Sequence, residues 1–122
     1  MHLQSYKDFQ VWQRAMDLTV EIYKLVKLLP KEETYALSDQ MRRAVVSIPS
    51  NIAEGQGRNS TKEFINFLTI SRGSQNEFET QLQICIRLNY IIEKDAENAL
   101  NLCEEVGKML NSLIKKLRQT LD

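Results

Sequence analysis

Apolar residues recur along this chain at spacings of three and four, and the pattern breaks in only three places. Val11, Ala15, Leu18, Ile22, Leu25 and Leu29 mark one face of a first helix. Phe9, Trp12, Met16, Thr19, Tyr23 and Val26 run beside them, so the apolar sector is wider than one neighbour would cover. Four glycines and two prolines in 122 residues leave too few turn formers for an all-β sandwich or barrel. A chain of this length suits one domain, 1–122, and the spacing predicts helices over about 8–29, 34–55, 61–92 and 96–120.

The breaks follow from local chemistry. Pro30 lacks a backbone N–H and should stop the first helix. In the second, Leu37, Met41, Ala44 or Val45, Ile48 and Ile52 face inward, and Pro49 predicts a kink near 45–49. Gly55 and Gly57 should end it in left-handed geometry. Ser60 with Glu63 reads as a capping box opening the third helix, whose inward residues run from Phe64 through Phe67, Leu68, Ser71, Ser74, Phe78, Leu82 and Cys85 to Leu88. Asp95 is the expected N-cap of the fourth, which carries Ala96, Ala99, Cys103, Val106, Leu110, Leu113 and Leu117 as a heptad-like series. Short connections make neighbours antiparallel, so the expected fold is all-α, an up-down-up-down four-helix bundle.

Composition narrows the chemistry. Sixteen basic residues balance sixteen acidic ones, which removes an overall basic surface as an argument for nucleic-acid binding. The only histidine is His2, so inward-facing Glu-x-x-His pairs, zinc sites and histidine-dependent triads all lack a ligand or base. Gly55-Gln56-Gly57-Arg58 is not a dinucleotide-binding turn. No metal, cofactor or catalytic residue is therefore expected. No apolar run reaches the roughly 20 residues of a membrane span, and residues 1–7 have no signal-peptide core, so a cytoplasmic protein is expected. Folding the chain about Lys94 sets Cys85 opposite Cys103, read as two small reduced core residues.

Two sets of polar residues stand out. Arg43, Ser47, Asn51, Glu54 and Arg58 continue at helical spacing on the second helix. Pairing about residues 57–59 places Arg43 near Ser74 and Glu77, and Asn51 near Asn66. Arg43, Asn51, Glu54, Arg58 and Glu77 are thus expected to join helices or subunits through hydrogen-bonded ion pairs. The second set is Arg58, Lys62, Lys108, Lys115, Lys116 and Arg118. The topology brings them to one end of the bundle with Lys7 and Arg14, a segregated basic rim able to face phosphates, with Glu93, Asp95 and Glu97 at the other end. The surplus apolar residues of the first and fourth helices (Leu102, Met109, Ile114 and Leu121 in the fourth) predict a cyclic homo-oligomer.

The run Ser47-Ile48-Pro49-Ser50-Asn51-Ile52-Ala53-Glu54-Gly55-Gln56-Gly57-Arg58, followed by Phe64-Ile65-Asn66-Phe67-Leu68-Thr69-Ile70-Ser71-Arg72-Gly73-Ser74, closely resembles the bacterial four-helix-bundle family, also called the 23S rRNA intervening-sequence protein family. The likeness extends to residues 11–15, 35–44, Glu77 and Gln81-Leu82. It implies a ring-like homopentamer encoded within 23S rRNA genes or by free-standing genes. A similar branch, the accessory variability determinant of diversity-generating retroelements, is a basic pentameric barrel, and similarity to it implies binding of nucleic acid and of the element's reverse transcriptase. This chain departs from that branch in its neutral charge. It departs from the family pattern at Asn89-Tyr90, where Gly-Tyr is common, and at Ser71, where alanine is frequent. The functional expectation is a non-enzymatic oligomeric accessory protein that binds RNA, DNA or a nucleic-acid-processing partner. The alternative is a protein-protein interaction scaffold without nucleic-acid contact.

Overall fold

The computed structural model describes residues 5–121. Four helices, α1 (Gln10–Leu25), α2 (Leu37–Gln56), α3 (Thr61–Arg87) and α4 (Glu93–Gln119), form a bundle in which α1 and α3 each pack on α2 and α4. The diagonal pairs hardly touch, and α2 against α3 is the most extensive interface. Paired contacts run in opposite senses along each neighbouring pair, as in Ser47 with Ser74 and Gly55 with Phe67. The bundle is therefore antiparallel. Its core is the expected one: Leu18, Ile22, Met41, Val45, Ile48, Ile52, Leu68, Phe78, Leu82, Val106 and Leu110 are wholly buried.

Most departures lie at helix ends. The α-helical part of α1 stops at Leu25, a 3-10 turn covers Val26–Leu28, and Leu29 is extended before Pro30, as a residue preceding proline should be. Another 3-10 turn, Lys31–Glu33, follows Pro30, and α2 begins at Leu37, three residues later than expected. Glu33 Oε1 then accepts from the Leu37 N–H at 3.3 Å and serves an N-terminus that lacks its own capping side chain.

The third helix ends five residues earlier than its periodicity suggests, because Asn89 adopts φ 62°. Its N–H bonds the Ile86 carbonyl at 3.0 Å, and the Tyr90 N–H bonds that of Cys85 at 3.0 Å. This pair of bonds is a Schellman stop with asparagine in the left-handed position. Leu88, expected inward, is half exposed as a result. Glu93 opens α4, so Asp95 sits inside the first turn and the N-cap position belongs to Ile92. Along α4 the buried face drifts from the strict heptad: Ile114 is buried while Leu113 and Leu117 are half-buried. A 3.6-residue period outruns a 3.5-residue one over seven turns.

The glycines correct another expectation. Neither Gly55 nor Gly57 has positive φ; Gly57 caps α2 at φ −77°. Gly55 lies within the helix, where a Cβ would come 2.6 Å from Phe67 Cβ and 3.0 Å from Phe64 Cδ1. Its role is close approach of α2 to α3. Ser60 accepts from the Glu63 N–H at 3.1 Å, and the Glu63 carboxylate turns back to the Ser60 hydroxyl at 3.3 Å.

Candidate functional site

Helix α2 runs unbroken through Pro49. A proline there withholds the N–H that would bond the Val45 carbonyl. Side chains from three helices serve this stretch of backbone instead. Thr19 of α1, whose hydroxyl also reaches Ala15 O at 2.8 Å, lies 3.3 Å from the Val45 oxygen. Ser50 donates to Val46 O at 2.7 Å, and Asn51 to Ser47 O at 2.8 Å. Ser71 of α3, fully buried, donates to Ile48 O at 2.9 Å. Three successive carbonyls, of Val46, Ser47 and Ile48, thus each receive a side-chain donor, and that of Val45 shares the Thr19 hydroxyl proton with Ala15 O. Asn51 also reaches Ser47 Oγ at 2.9 Å, which meets Ser74 Oγ at 2.8 Å, so these polar residues weld α2 to α3.

The charged members of that stripe lie further out. Arg43 pairs with Asp39 at 2.9 Å one turn away on α2, and Arg58, just past the end of α2, pairs with Glu54 at 3.0 Å. Arg58 also lies over the Phe67 ring, 4.8 Å from its centroid, which adds a cation–π link to α3. Glu77 accepts from Gln81 at 3.3 Å, and no ion pair joins it to Arg43 among the described residues. Asn51 turns back to Ser47 on its own helix.

The ends of the elements fix where the basic residues lie. Phe9 stacks on Phe64 at 6.0 Å between centroids, and Phe9 and Val11 share a groove of about 400 Å³ with Met109, Leu113 and Lys116. The start of α1, the 58–62 turn and the end of α4 therefore occupy one end of the bundle. Lys108 is paired with Glu104 at 3.0 Å, and Arg14 with Glu105 at 3.1 Å. Among the described residues, Lys62, Lys115, Lys116 and Arg118 have no acid within ion-pair distance. Both ends carry both signs: Asp8, Glu54 and Glu63 accompany the bases at this end, and Lys24, Lys27, Lys31, Arg42, Arg43 and Lys94 accompany Glu93, Asp95 and Glu97 at the other.

Sequence reasoning missed the seam between α3 and α4. Arg72 donates to Asn111 Oδ1 at 2.9 Å, to Gln75 Oε1 at 2.7 Å and to Asn76 Oδ1 at 2.6 Å. Gln75, buried, passes its own N–H groups to Cys103 at 3.3 Å. The signal was available only as Gln and Asn three and four residues after an arginine, a helical spacing.

The thiols are not paired with each other. The α3–α4 turn centres near residue 89 rather than 94, so Gln75 faces Cys103, and Cys85 meets Met41 Sδ at 3.4 Å. Both are free and buried. Burial, with Glu33 nearby, pushes the Cys85 thiol up to about 11. Burial likewise raises Cys103 to about 11, against a lowering hydrogen bond from Gln75. These thiols are poor nucleophiles. At the same end as Cys85, the Tyr90 hydroxyl donates to Glu33 Oε2 at 2.7 Å, and that bond raises its pKa.

No group of three or more His, Cys, Asp and Glu among the described residues is placed to hold a metal, and His2 lies outside them. Among the described residues no helix is long and apolar enough to cross a membrane.

The fold agrees with that of a solved relative. Curated proteins of known function include no match. A crystal structure of a protein of unknown function from the S23 ribosomal protein family of Bacteroides thetaiotaomicron VPI-5482 is similar at 35% identity and a TM-score of 0.80, covering 86% of this chain and 98% of that one. The model of the 23S rRNA-intervening sequence protein family matches residues 7–112. With the family pattern and a structural likeness over most of the chain in agreement, this chain belongs to the 23S rRNA-intervening sequence protein family.

Proposed function

We propose that this protein is a non-enzymatic accessory protein of the cytoplasm that assembles into a cyclic homo-oligomer and binds RNA or DNA through its basic end. The observation that carries the reading is the set of bases at one end, Lys62, Lys115, Lys116 and Arg118, that no described acid neutralises. Cations already paired at home contribute little to phosphate binding; unpaired ones release counterions when a phosphate arrives. Repetition around a ring would multiply this set despite the neutral chain.

Two apolar patches support the ring. Met16, Val20 and Tyr23 are exposed on α1, and Ile70, Ile84 and Leu88 on α3. These helices are diagonal in the bundle, so the patches look away from each other. A closed ring of more than two subunits needs two different surfaces per subunit, one for each neighbour. Gly73 fits beside the second patch: it lies mid-helix, where glycine costs about 1 kcal/mol, and, beyond its own stretch of helix, no described residue comes within 4 Å of where its Cβ would be. Arg43, Glu54, Arg58 and Glu77 then serve as the polar border of that contact, with Asn51 fixing the backbone behind them. Five subunits is the number that the family resemblance implies.

Sedimentation equilibrium combined with binding to a mixed structured-RNA pool tests the reading. Assembly above the monomer mass, with RNA affinity that falls steeply between 50 and 200 mM salt, is the expected result. A 14 kDa species at micromolar concentration removes the ring. Assembly without RNA or DNA binding leaves the scaffold reading, in which the apolar groove of Trp12, Met16, Val46, Pro49 and Ala53 takes a partner protein.

A further inference from the structure

The groove between α3 and α4 contains a cation built unlike the others. Arg72 is half-buried, and its Nε and one terminal nitrogen are held by three amide oxygens, from Gln75, Asn76 and Asn111. Among the described residues no carboxylate lies within ion-pair distance of it. Neutral acceptors fix the guanidinium plane without cancelling its charge. A guanidinium normally presents five donors in a fixed fork. The three bonds described here use Nε and Nη1, and Nη2 makes none to the described residues.

The facing residues of α4 extend this site. Lys108 precedes Asn111 by three residues and Lys115 follows it by four, so both flank it on one face of the helix. Arg118 continues that face one turn later. Lys115 and Arg118 are exposed, while Lys108 is held by Glu104. Seven residues of helix set Asn111 and Arg118 about 10 Å apart along the axis, more than one phosphate spacing. Lys116, by contrast, turns toward the α1 side and lines the groove with Phe9 and Val11.

We propose that Arg72, pre-oriented by Asn111, Gln75 and Asn76, is the anchor of a phosphate-binding track along the α3–α4 seam, continued by Lys115 and Arg118, and that a nucleic-acid backbone lies along it. The inference rests on the nucleic-acid reading above and extends its contact from the basic end along the side of the bundle. Arginine is suited to the anchoring position because three of its donors can be held by amides while Nη2 still offers N–H groups in a fixed direction, whereas the lysines act as mobile point charges.

The test uses the full chain and a fluorescein-labelled 20-nucleotide RNA, single-stranded and as a hairpin, titrated at 50, 100 and 200 mM salt. R72Q is expected to weaken binding about ten-fold, the worth of one charge-assisted contact, and to reduce the salt slope by about one. R72K keeps the charge and loses the fork: the slope stays and affinity falls. Because Arg72 also ties two helices, K115Q is the second variant; its side chain has no described ion pair, and it should lower the slope by about one with an unchanged melting temperature. Wild-type affinity and slope in both R72Q and K115Q, with loss in K62Q or K116Q, overturn the track and leave the basic end as the contact. Absence of binding by the wild-type protein at 50 mM salt overturns the nucleic-acid reading itself and the track with it.

Discussion

The hydroxyl of Thr19 on α1 lies 3.3 Å from the carbonyl oxygen of Val45 on α2, the acceptor that Pro49 leaves without its helical donor. Thr19→Val keeps the shape and removes the donor, so it should lower stability by about 1 kcal/mol. In a Pro49→Ala background the restored N–H serves the same carbonyl, and the cost of Thr19→Val should shrink by at least ~0.5 kcal/mol in a double-mutant cycle. Urea denaturation of the four proteins measures it. Equal costs in both backgrounds would show that the Val45 oxygen does not need Thr19.

Gly55 and Gly73 should respond oppositely to alanine. At Gly55 the new Cβ meets Phe67 Cβ, an atom fixed to backbone, at 2.6 Å, so α2 and α3 must separate. Gly55→Ala should cost about 1–3 kcal/mol and lower the melting temperature by several degrees. Gly73→Ala enters open space and gains about 1 kcal/mol of helix propensity in the isolated chain. Thermal melts at several protein concentrations separate this gain from any loss of assembly.

Asn89 holds φ 62°, a conformation glycine adopts freely and other residues at a cost. Asn89→Gly should therefore raise stability by a few tenths to about 1 kcal/mol, and Asn89→Val should lower it by more than that. Differential scanning calorimetry of both variants checks the sign.

The buried thiols set a pH dependence. Cys85 and Cys103 titrate near 11 in the fold, above their ordinary 9.0. Between these values the native protein retains protons that the unfolded chain has released, so stability is full below pH 9 and falls as pH rises toward 11. Subtracting the pH profile of the Cys85→Ala, Cys103→Ala protein isolates this part from lysine and tyrosine titration. A thiol-specific disulfide reagent at pH 8 should react with neither cysteine until the protein unfolds.

The core residues and the antiparallel order of helices were legible because burial imposes a 3.6-residue rhythm that survives in the sequence. Helix ends were less so. The stop at Asn89 depends on one backbone angle, and apolar spacing continues past it through Ile91. That shift of the turn carried the expected partner of Cys103 from Cys85 to Gln75. Gly55 looked like a terminator because a glycine required for close approach and one required for a turn are the same letter. Arg72 escaped notice for a different reason: its partners are neutral amides, and a search guided by opposite charges passes over them.

Gly107 of α4 gives that seam a further property. Where its side chain would be, the amide of Gln75 fills the space, its three terminal atoms 3.1–3.2 Å from the vacant Cβ position. Two helices meeting only through apolar ridges can slip past each other by a turn, about 5.4 Å, and settle again. Here a slip would press Gln75 against Cys103 or Leu110 instead of the gap, and would tear Arg72 from Asn111. The hairpin of α3 and α4 has one alignment, and the distance from Arg72 to the bases on the facing helix is fixed by it. It works as a ruler rather than a ratchet.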